Sequence, residues 1–460
     1  MLKDSHIKAL SDIVGSENIY SDKAHLIAYS YDATRTRYEP EAVVFPRDEN
    51  DISAILKYCN ENQIIITPRG AGSGFTGGAL PANGGIILGM EKHMKRILEI
   101  DMENMVAVVQ PGVINKDLQR AVEALGLFYP PDPASEEYST LGGNVSENAG
   151  GMRAAKYGIT KDYVMALRVV LPNGDIIRAG KRTIKDVAGY NITGILIASE
   201  GTLGVLSEIT LKLLPKPKFV KSYMGVFPTV KDAMNAVFKS LAAGANPVAM
   251  EFLDSLVVQA LKEKLGVELP SGAGALLIGD VDGNVSQEVE FQLEILRESF
   301  IANGATDFKI ADEKKDRDAL WYARRNASQS ITIFGSKKLN EDISVPRSKL
   351  PIALEKIYAI GTKYGFKVPC FGHAGDGNIH VNVMVDGKDE KQLSNGHRAI
   401  EEIFQMVVDM GGTLSGEHGI GLSKAPFMDI AFNESERALF SAVKKAFDPN
   451  NILNPSKMGL

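Results

Sequence analysis

Cysteine is scarce: Cys59 and Cys370 are the only two in 460 residues, and neither stands in a CxxC pair. That excludes a disulfide framework and a thiolate cluster, so no iron–sulfur centre is expected in this chain. An excess of positive charge is lacking too, with 51 Lys and Arg against 57 Asp and Glu and a formal charge of -6. With no basic face evident, nucleic acid and anionic membranes are excluded as general partners, and small molecules are expected. No apolar run approaches the length of a membrane span. The opening stretch, MLKDSHIKALSDIVGSENIY, lacks the apolar core and small-residue cleavage site of a signal peptide. These absences predict a cytoplasmic protein in a reducing compartment, peripheral to a membrane only through a partner or a surface patch.

What is present is enough apolar sequence, 44% of residues, to bury a sizeable core. At this length two domains or one composite domain are expected. "PEAVVFPRDENDISAILKYCNENQIIITPRG" alternates strand, helix, strand in the βαβ manner, with "AVVFP" and "QIIITP" as the strands. Further short β-branched runs follow, among them "ALRVVLPNGDIIRAG" with an Asn-Gly hairpin signal. "KLLPKPKFVKS" then places prolines and lysines after a finished strand, and a second α+β run begins. The boundaries read as 1–216, 217–410 and a closing segment 411–460. There is no internal repeat or low-complexity segment.

Glycine is abundant where strands end. "PRGAGSGFTGGAL", Pro68 to Leu80, invites the dinucleotide fingerprint but fails it, because Phe75 occupies the third glycine position and no helix pattern follows. The alternatives are a flexible loop or a nest of backbone N–H groups closing on an anion such as a pyrophosphate. Five glycines directly after a buried strand favour the nest. "YPPDPASEEYSTLGGNVSENAGGMRAAKYG" and "ASEGTLGVLSEITL" are two further stations of the same kind. An extended ligand lying against backbone at several points, such as FAD, suits that distribution.

"FGHAGDGNIH" and "SGEHGIG" gather three of the seven histidines. His373 and His380 are seven apart, on opposite faces of an uninterrupted strand, but an Asp-Gly turn between them can bring both imidazoles to one point. With Glu417 as a third ligand they make a divalent-ion site with open positions, in the Zn2+, Mn2+ or Fe2+ range. The residues alone leave equally open that both histidines are turn residues satisfied by backbone. A cation able to pair a carboxylate bidentately is offered by "ALWYARRNASQS", in Arg324 or Arg325.

Taken in order, "PRGAGSGFTGGAL", "PPDPAS", "GGNVSENAGGMRAAKYG", "SEGTLGVL" and "FDPNNILNP" resemble the FAD-linked oxidase family with a flavin domain of the vanillyl-alcohol-oxidase type. Within it they are most similar to the D-lactate, glycolate and D-2-hydroxyglutarate dehydrogenases. The resemblance implies an α+β protein: a two-subdomain FAD-binding domain, an α+β substrate or cap domain, and a C-terminal segment returning to the flavin. It implies that Pro68, Arg69, Gly70, Ala71, Gly72, Ser73, Gly74, Thr76, Gly77 and Gly78 wrap the FAD pyrophosphate. Pro131, Asp132, Thr140, Gly142, Gly143, Asn144, Asn148, Gly150, Gly151, Tyr157 and Gly158 would line the rest with Glu200, Gly201, Gly204 and Val205, and Asn454 would approach the flavin ring. Because the first loop has no histidine, and His93 lies outside it, the FAD is expected to be noncovalent.

For substrate, the resemblance selects Arg324, with Ser328 one turn later, Asn382, and Lys338 and Asn340 in a segment that varies with substrate. It makes His373, His380 and Glu417 metal ligands, zinc first. His418 becomes the base that takes a hydroxyl proton while the flavin takes the C2 hydride. The implied reaction is oxidation of a D-2-hydroxy acid to the 2-oxo acid, D-lactate or glycolate before D-2-hydroxyglutarate. Asn340 stands where a second carboxylate would want a cation. An alcohol or sugar oxidase on the same scaffold, or a flavin subunit that only relays electrons, are the rival readings. The acceptor is left open among an electron-transferring flavoprotein, a quinone, a cytochrome and an iron–sulfur protein, and the chain is expected as a homodimer or as a subunit of a complex.

Overall fold

The computed structural model describes residues 2–270 and 272–460. The chain divides into two compact units, one made of Met1–Gly150, Ile159–Lys216 and Glu417–Leu460, the other of Gly151–Gly158 and Pro217–Gly416.

In the first unit β1 (Ile19–Tyr20), β2 (Ala42–Val44), β3 (Ile66–Arg69) and β4 (Ile86–Gly89) form a sheet of order β1-β2-β4-β3, with β2, β4 and β3 parallel. The parallel pairing needs a crossover, and the helix Glu49–Glu61 supplies it between β2 and β3. Asp48 starts that helix by accepting the Asn50 and Asp51 amides. Its Ile52, Ile55, Leu56 and Cys59 fall at helical spacing and are buried against Val44, Ile66 and Leu88. Cys59 is therefore core.

β5 (Ile97–Asp101), β6 (Val106–Val109), β8 (Val164–Val170), β9 (Ile176–Gly180) and β10 (Val205–Lys212) form a second, antiparallel sheet of order β5-β6-β10-β8-β9. The short strands β7 (Leu127–Phe128) and β11 (Leu214–Pro215) pair separately. The β8–β9 hairpin turns at Asn173-Gly174, where Gly174 has φ +88°. After the helix Glu434–Phe447, Ile452 to Asn454 lie along β3, with the Ile66 amide donating to Ile452 O and the Asn454 amide to Ile66 O, both at 2.8 Å.

The second unit is one seven-stranded antiparallel sheet of β12 (Phe219–Phe227), β13 (Ala249–Asp254), β14 (Ala275–Gly283), β15 (Asp307–Ala311), β16 (Lys337–Ser344), β17 (Cys370–His373) and β18 (Asn378–Val385). Their order is β15-β12-β14-β13-β17-β18-β16. Directly opposed residues share a face, and the register opposes Glu251 to His373, Phe371 to His380, Asp342 to His380 and Asn340 to Asn382. One face thus carries all of these with Met224, Leu253, Leu276 and Ile278, and the helix Lys314–Ser330 packs there through Ala323 and Ala327.

Two segments fall differently from the boundaries read in the sequence. Residues 151–158 belong to the second unit, where Lys156 Nζ (2.6 Å) and Tyr157 Oη (2.8 Å) both donate to the Asp282 carboxylate. Residues 411–416 also stay with it, because Thr413 pairs with Ser344 and the Gly416 amide donates to Asp342 at 2.9 Å. Among the described residues no helix is long and apolar enough to cross a membrane.

Candidate cofactor and substrate sites

The first unit contains a long cavity walled by the glycine-rich stations. Pro68, Arg69, Gly70, Ala71, Gly72, Ser73, Gly74 and Gly78 line it from the first loop. Thr140, Gly142, Gly143, Asn144 and Gly150 line it from the second, and Glu200, Gly201, Gly204 and Val205 from the third. At two of its glycines the first loop leaves no room or conformation for a side chain. A Cβ on Gly70 would stand 2.1 Å from Thr140 Oγ1, and Gly72 sits at φ +66°. The "LGGNVSE" stretch is a short helix, Leu141–Glu147, whose cap Thr140 accepts the Gly143 amide at 3.2 Å. Asn144 Nδ2 and Glu147 Oε2 are buried without a protein partner among the described residues. Bare backbone from three glycine-rich loops around one cavity fits a dinucleotide such as FAD.

Several residues grouped with the cofactor in the sequence serve this wall from behind. Asn454 does not line the cavity; its Nδ2 donates to Gly78 O (2.9 Å) and Glu200 O (2.7 Å), tying two cofactor loops together. Thr76 O accepts the Leu422 and Ser423 amides, Gly77 turns the loop at φ +84°, and Pro131 O accepts from Asn115 and Gln119. Asp132 is buried, and Asn148, at φ +54°, ends the short helix. Gly151, Tyr157 and Gly158 lie in the second unit. Arg69 is buried too, donating to Tyr31 O at 2.8 Å, and burial lowers its pKa.

The cavity's electrostatics centre on residues the sequence reading left unassigned or placed only as lining. Glu200, at φ +51°, accepts the Ile420 and Gly421 amides, one on each oxygen at 2.7 Å. Burial raises its pKa while those amides hold it down. Glu147 has no such donors, and burial, then Glu200 and Asp32, push it well above the usual carboxylate range. Lys457 donates to Leu80 O at 2.8 Å and is lowered to about 8 by burial. Glu417 and His418 also line the cavity, with the His418 ring centred 5.3 Å from that of Phe75.

The second unit gathers a polar cluster on the sheet face described above. Glu251, fully buried, accepts from Arg324 Nε and meets His373 Nδ1, both at 2.7 Å. The Arg324 guanidinium lies over the Phe371 ring, 5.1 Å from its centre. His373 and His380 bring their Nε2 atoms to 3.4 Å, and His380 Nδ1 lies 3.9 Å from Asp342. Two ligands at about 2.0–2.1 Å from a tetrahedral ion stand about 3.3–3.4 Å apart. A carboxylate on the far nitrogen of one histidine is also how ligating imidazoles are oriented. The spacing of these two imidazoles is compatible with a shared divalent ion. Ser328 accepts from Lys338, and Asn340 Nδ2 donates to Asn382 Oδ1 at 2.8 Å. Glu251 was missed in the sequence, although an acid inside the wholly buried strand "AMEFLD" is itself a signal of a polar partner.

Comparisons with known proteins identify the family. An "FAD binding domain" matches residues 40–180, and "FAD linked oxidases, C-terminal domain" matches residues 216–458. The glycolate oxidase subunit GlcD of Bacillus subtilis (strain 168) is 42% identical over 451 residues, 98% of this chain and 95% of that protein. The D-lactate dehydrogenase of Anaerostipes hadrus is 38% identical, over 91% of this chain and 89% of its own. Among solved structures, p-cresol methylhydroxylase shares the fold, with a TM-score of 0.81 at 18% identity over 99% of this chain and 96% of its own. With its flavin-type cavity, its order of motifs and both domain matches, the chain belongs to the FAD-linked oxidase family.

Proposed function

We propose that this protein is an FAD-dependent dehydrogenase that oxidises a D-2-hydroxy acid, D-lactate or glycolate, to the 2-oxo acid. The observation that carries the reading is the buried Arg324–Glu251–His373 chain. Glu251 takes the Arg324 Nε, so the outer edge of the guanidinium is aimed and braced for a carboxylate. FAD, held noncovalently, supplies the hydride acceptor when bound. His418, on the cavity wall, takes the hydroxyl proton. Asn382, with Nδ2 held by Pro369 O and His380 O, and Asn340 orient the substrate's oxygens, and Ser328 and Lys338 close that side. His373 and His380, with Glu417 as the third ligand read from the sequence, would hold a divalent ion, zinc by its donor set, that lowers the pKa of a bound hydroxyl. A D-lactate dehydrogenase and glycolate oxidase subunits among its relatives support the substrate class. Electrons then pass to a separate acceptor.

The test is anaerobic mixing of the flavin-loaded protein with D- and L-lactate, glycolate and D-2-hydroxyglutarate. Rapid bleaching by D-lactate or glycolate is expected. A bound flavin that no hydroxy acid reduces would overturn the proposal, and reduction by simple alcohols alone would favour the oxidase reading.

A further inference from the structure

Glu147 closes the helix Leu141–Glu147 on the cofactor cavity, and none of the roles above uses it. Two loops give up side chains to admit its carboxyl. A Cβ on Gly78 would lie 2.5 Å from Oε1, and one on Gly419 would lie 2.0 Å from Oε2. Oε2 is buried with no hydrogen-bond partner among the described residues. Glu200 approaches the same Gly419 from its own side, at 3.0 Å from that Cβ position, and both of its oxygens are met by backbone amides. The fold thus equips one carboxylate with donors and leaves the other with none. Two acids beside one glycine do not both ionise readily in a buried setting. The nearby cation, Lys457, directs its ammonium to Leu80 O.

We propose that Glu147 is a positioning residue for the flavin, its carboxyl kept uncharged in the cavity wall and donating a hydrogen bond to bound FAD. The proposal rests on reading the cavity as the FAD site. Burial and the Glu200 and Asp32 carboxylates keep the proton on Glu147, with Lys457 opposing them. The asymmetry matters because an FAD acceptor atom facing an anion is repelled, whereas one facing a carboxylic acid is held.

Apoprotein of wild type, Glu147→Gln and Glu147→Ala is titrated with FAD by flavin fluorescence, with circular dichroism of each apoprotein as the folding control. The midpoint potential of the bound flavin is measured alongside. Glutamine is uncharged and keeps an N–H donor, so Glu147→Gln is expected to bind FAD within about threefold of wild type with little change in potential. Glu147→Ala is expected to bind about tenfold more weakly, the worth of one ordinary hydrogen bond. A glutamine variant as weak as the alanine variant would show that the negative charge is what counts and overturn the proposal. So would an alanine variant that binds like wild type. If the alanine chain does not fold, the glutamine variant decides alone, a tenfold loss refuting and wild-type affinity supporting. Wild-type protein that takes up no FAD would instead remove the cavity assignment on which the proposal stands.

Discussion

Replacing Glu251 by Ala is the sharpest perturbation this structure offers. The carboxylate is fully buried and faces two partners at 2.7 Å, Arg324 Nε and His373 Nδ1. Truncation leaves the Arg324 guanidinium, only 9% exposed, buried without its counter-charge. Removing one partner of such a pair costs about 3–5 kcal/mol, far more than the net worth of the pair itself. For a unit of about 200 residues, 1 kcal/mol shifts the melting temperature by about 2–4 °C, so the second unit should melt about 6–20 °C lower. Adding Arg324→Met to Glu251→Ala removes the stranded charge, and the double variant should recover at least 1 kcal/mol relative to the sum of the single ones. The assay is thermal unfolding of the two single variants and the double variant at one pH and salt concentration. A Glu251→Ala protein melting within about 2 °C of wild type, or strict additivity in the cycle, would refute the reasoning.

Three further outcomes are expected. His418→Ala should retain bound FAD, judged by its visible spectrum, yet lose at least about a hundredfold in kcat, the usual worth of a general base; near-normal kcat would remove it from that role. Purified protein should carry a divalent ion by elemental analysis, reduced in His373→Ala and in His380→Ala, and chelation should abolish turnover until an ion is restored. Full activity in metal-free protein would dismiss the ion. Lys457 gives a pH signature: burial lowers its pKa to about 8 from the ordinary 10.5, so between those values the unfolded chain holds a proton the fold does not. Stability is therefore penalised below pH 8 and gains on the order of 3 kcal/mol as pH rises toward 10.5. The melting-temperature difference between wild type and Lys457→Met should move in favour of wild type from pH 7 to pH 10, and a constant difference would contradict the assignment.

The periodicities that local chemistry controls were legible. The "AVVFP" and "QIIITP" runs hold β2 and β3, "ALRVVLPNGDIIRAG" holds the β8–β9 hairpin, and the glycine loops were recognisable because bare backbone has few other uses beside a buried strand. What could not be read is whatever depends on partners distant in the chain. Nothing in "GMRAAKYG" announces that Lys156 and Tyr157 answer to Asp282, 126 and 125 residues on. Asn454, which the resemblance sends toward the flavin ring, donates its Nδ2 to two loop carbonyls 376 and 254 residues earlier. The same holds for Glu147, whose approach to Gly419, 272 residues on, is visible only in the folded chain.

The strip from Ile452 to Asn454 beside β3 bears on how the molecule is made. Its hydrogen bonds to Ile66 join residues synthesised almost four hundred positions later to a strand already complete. The loops around the vitamin-derived prosthetic group therefore lack this brace until the strip has emerged. A polypeptide interrupted before this strip would lack the amide that ties two loops together around its yellow pigment.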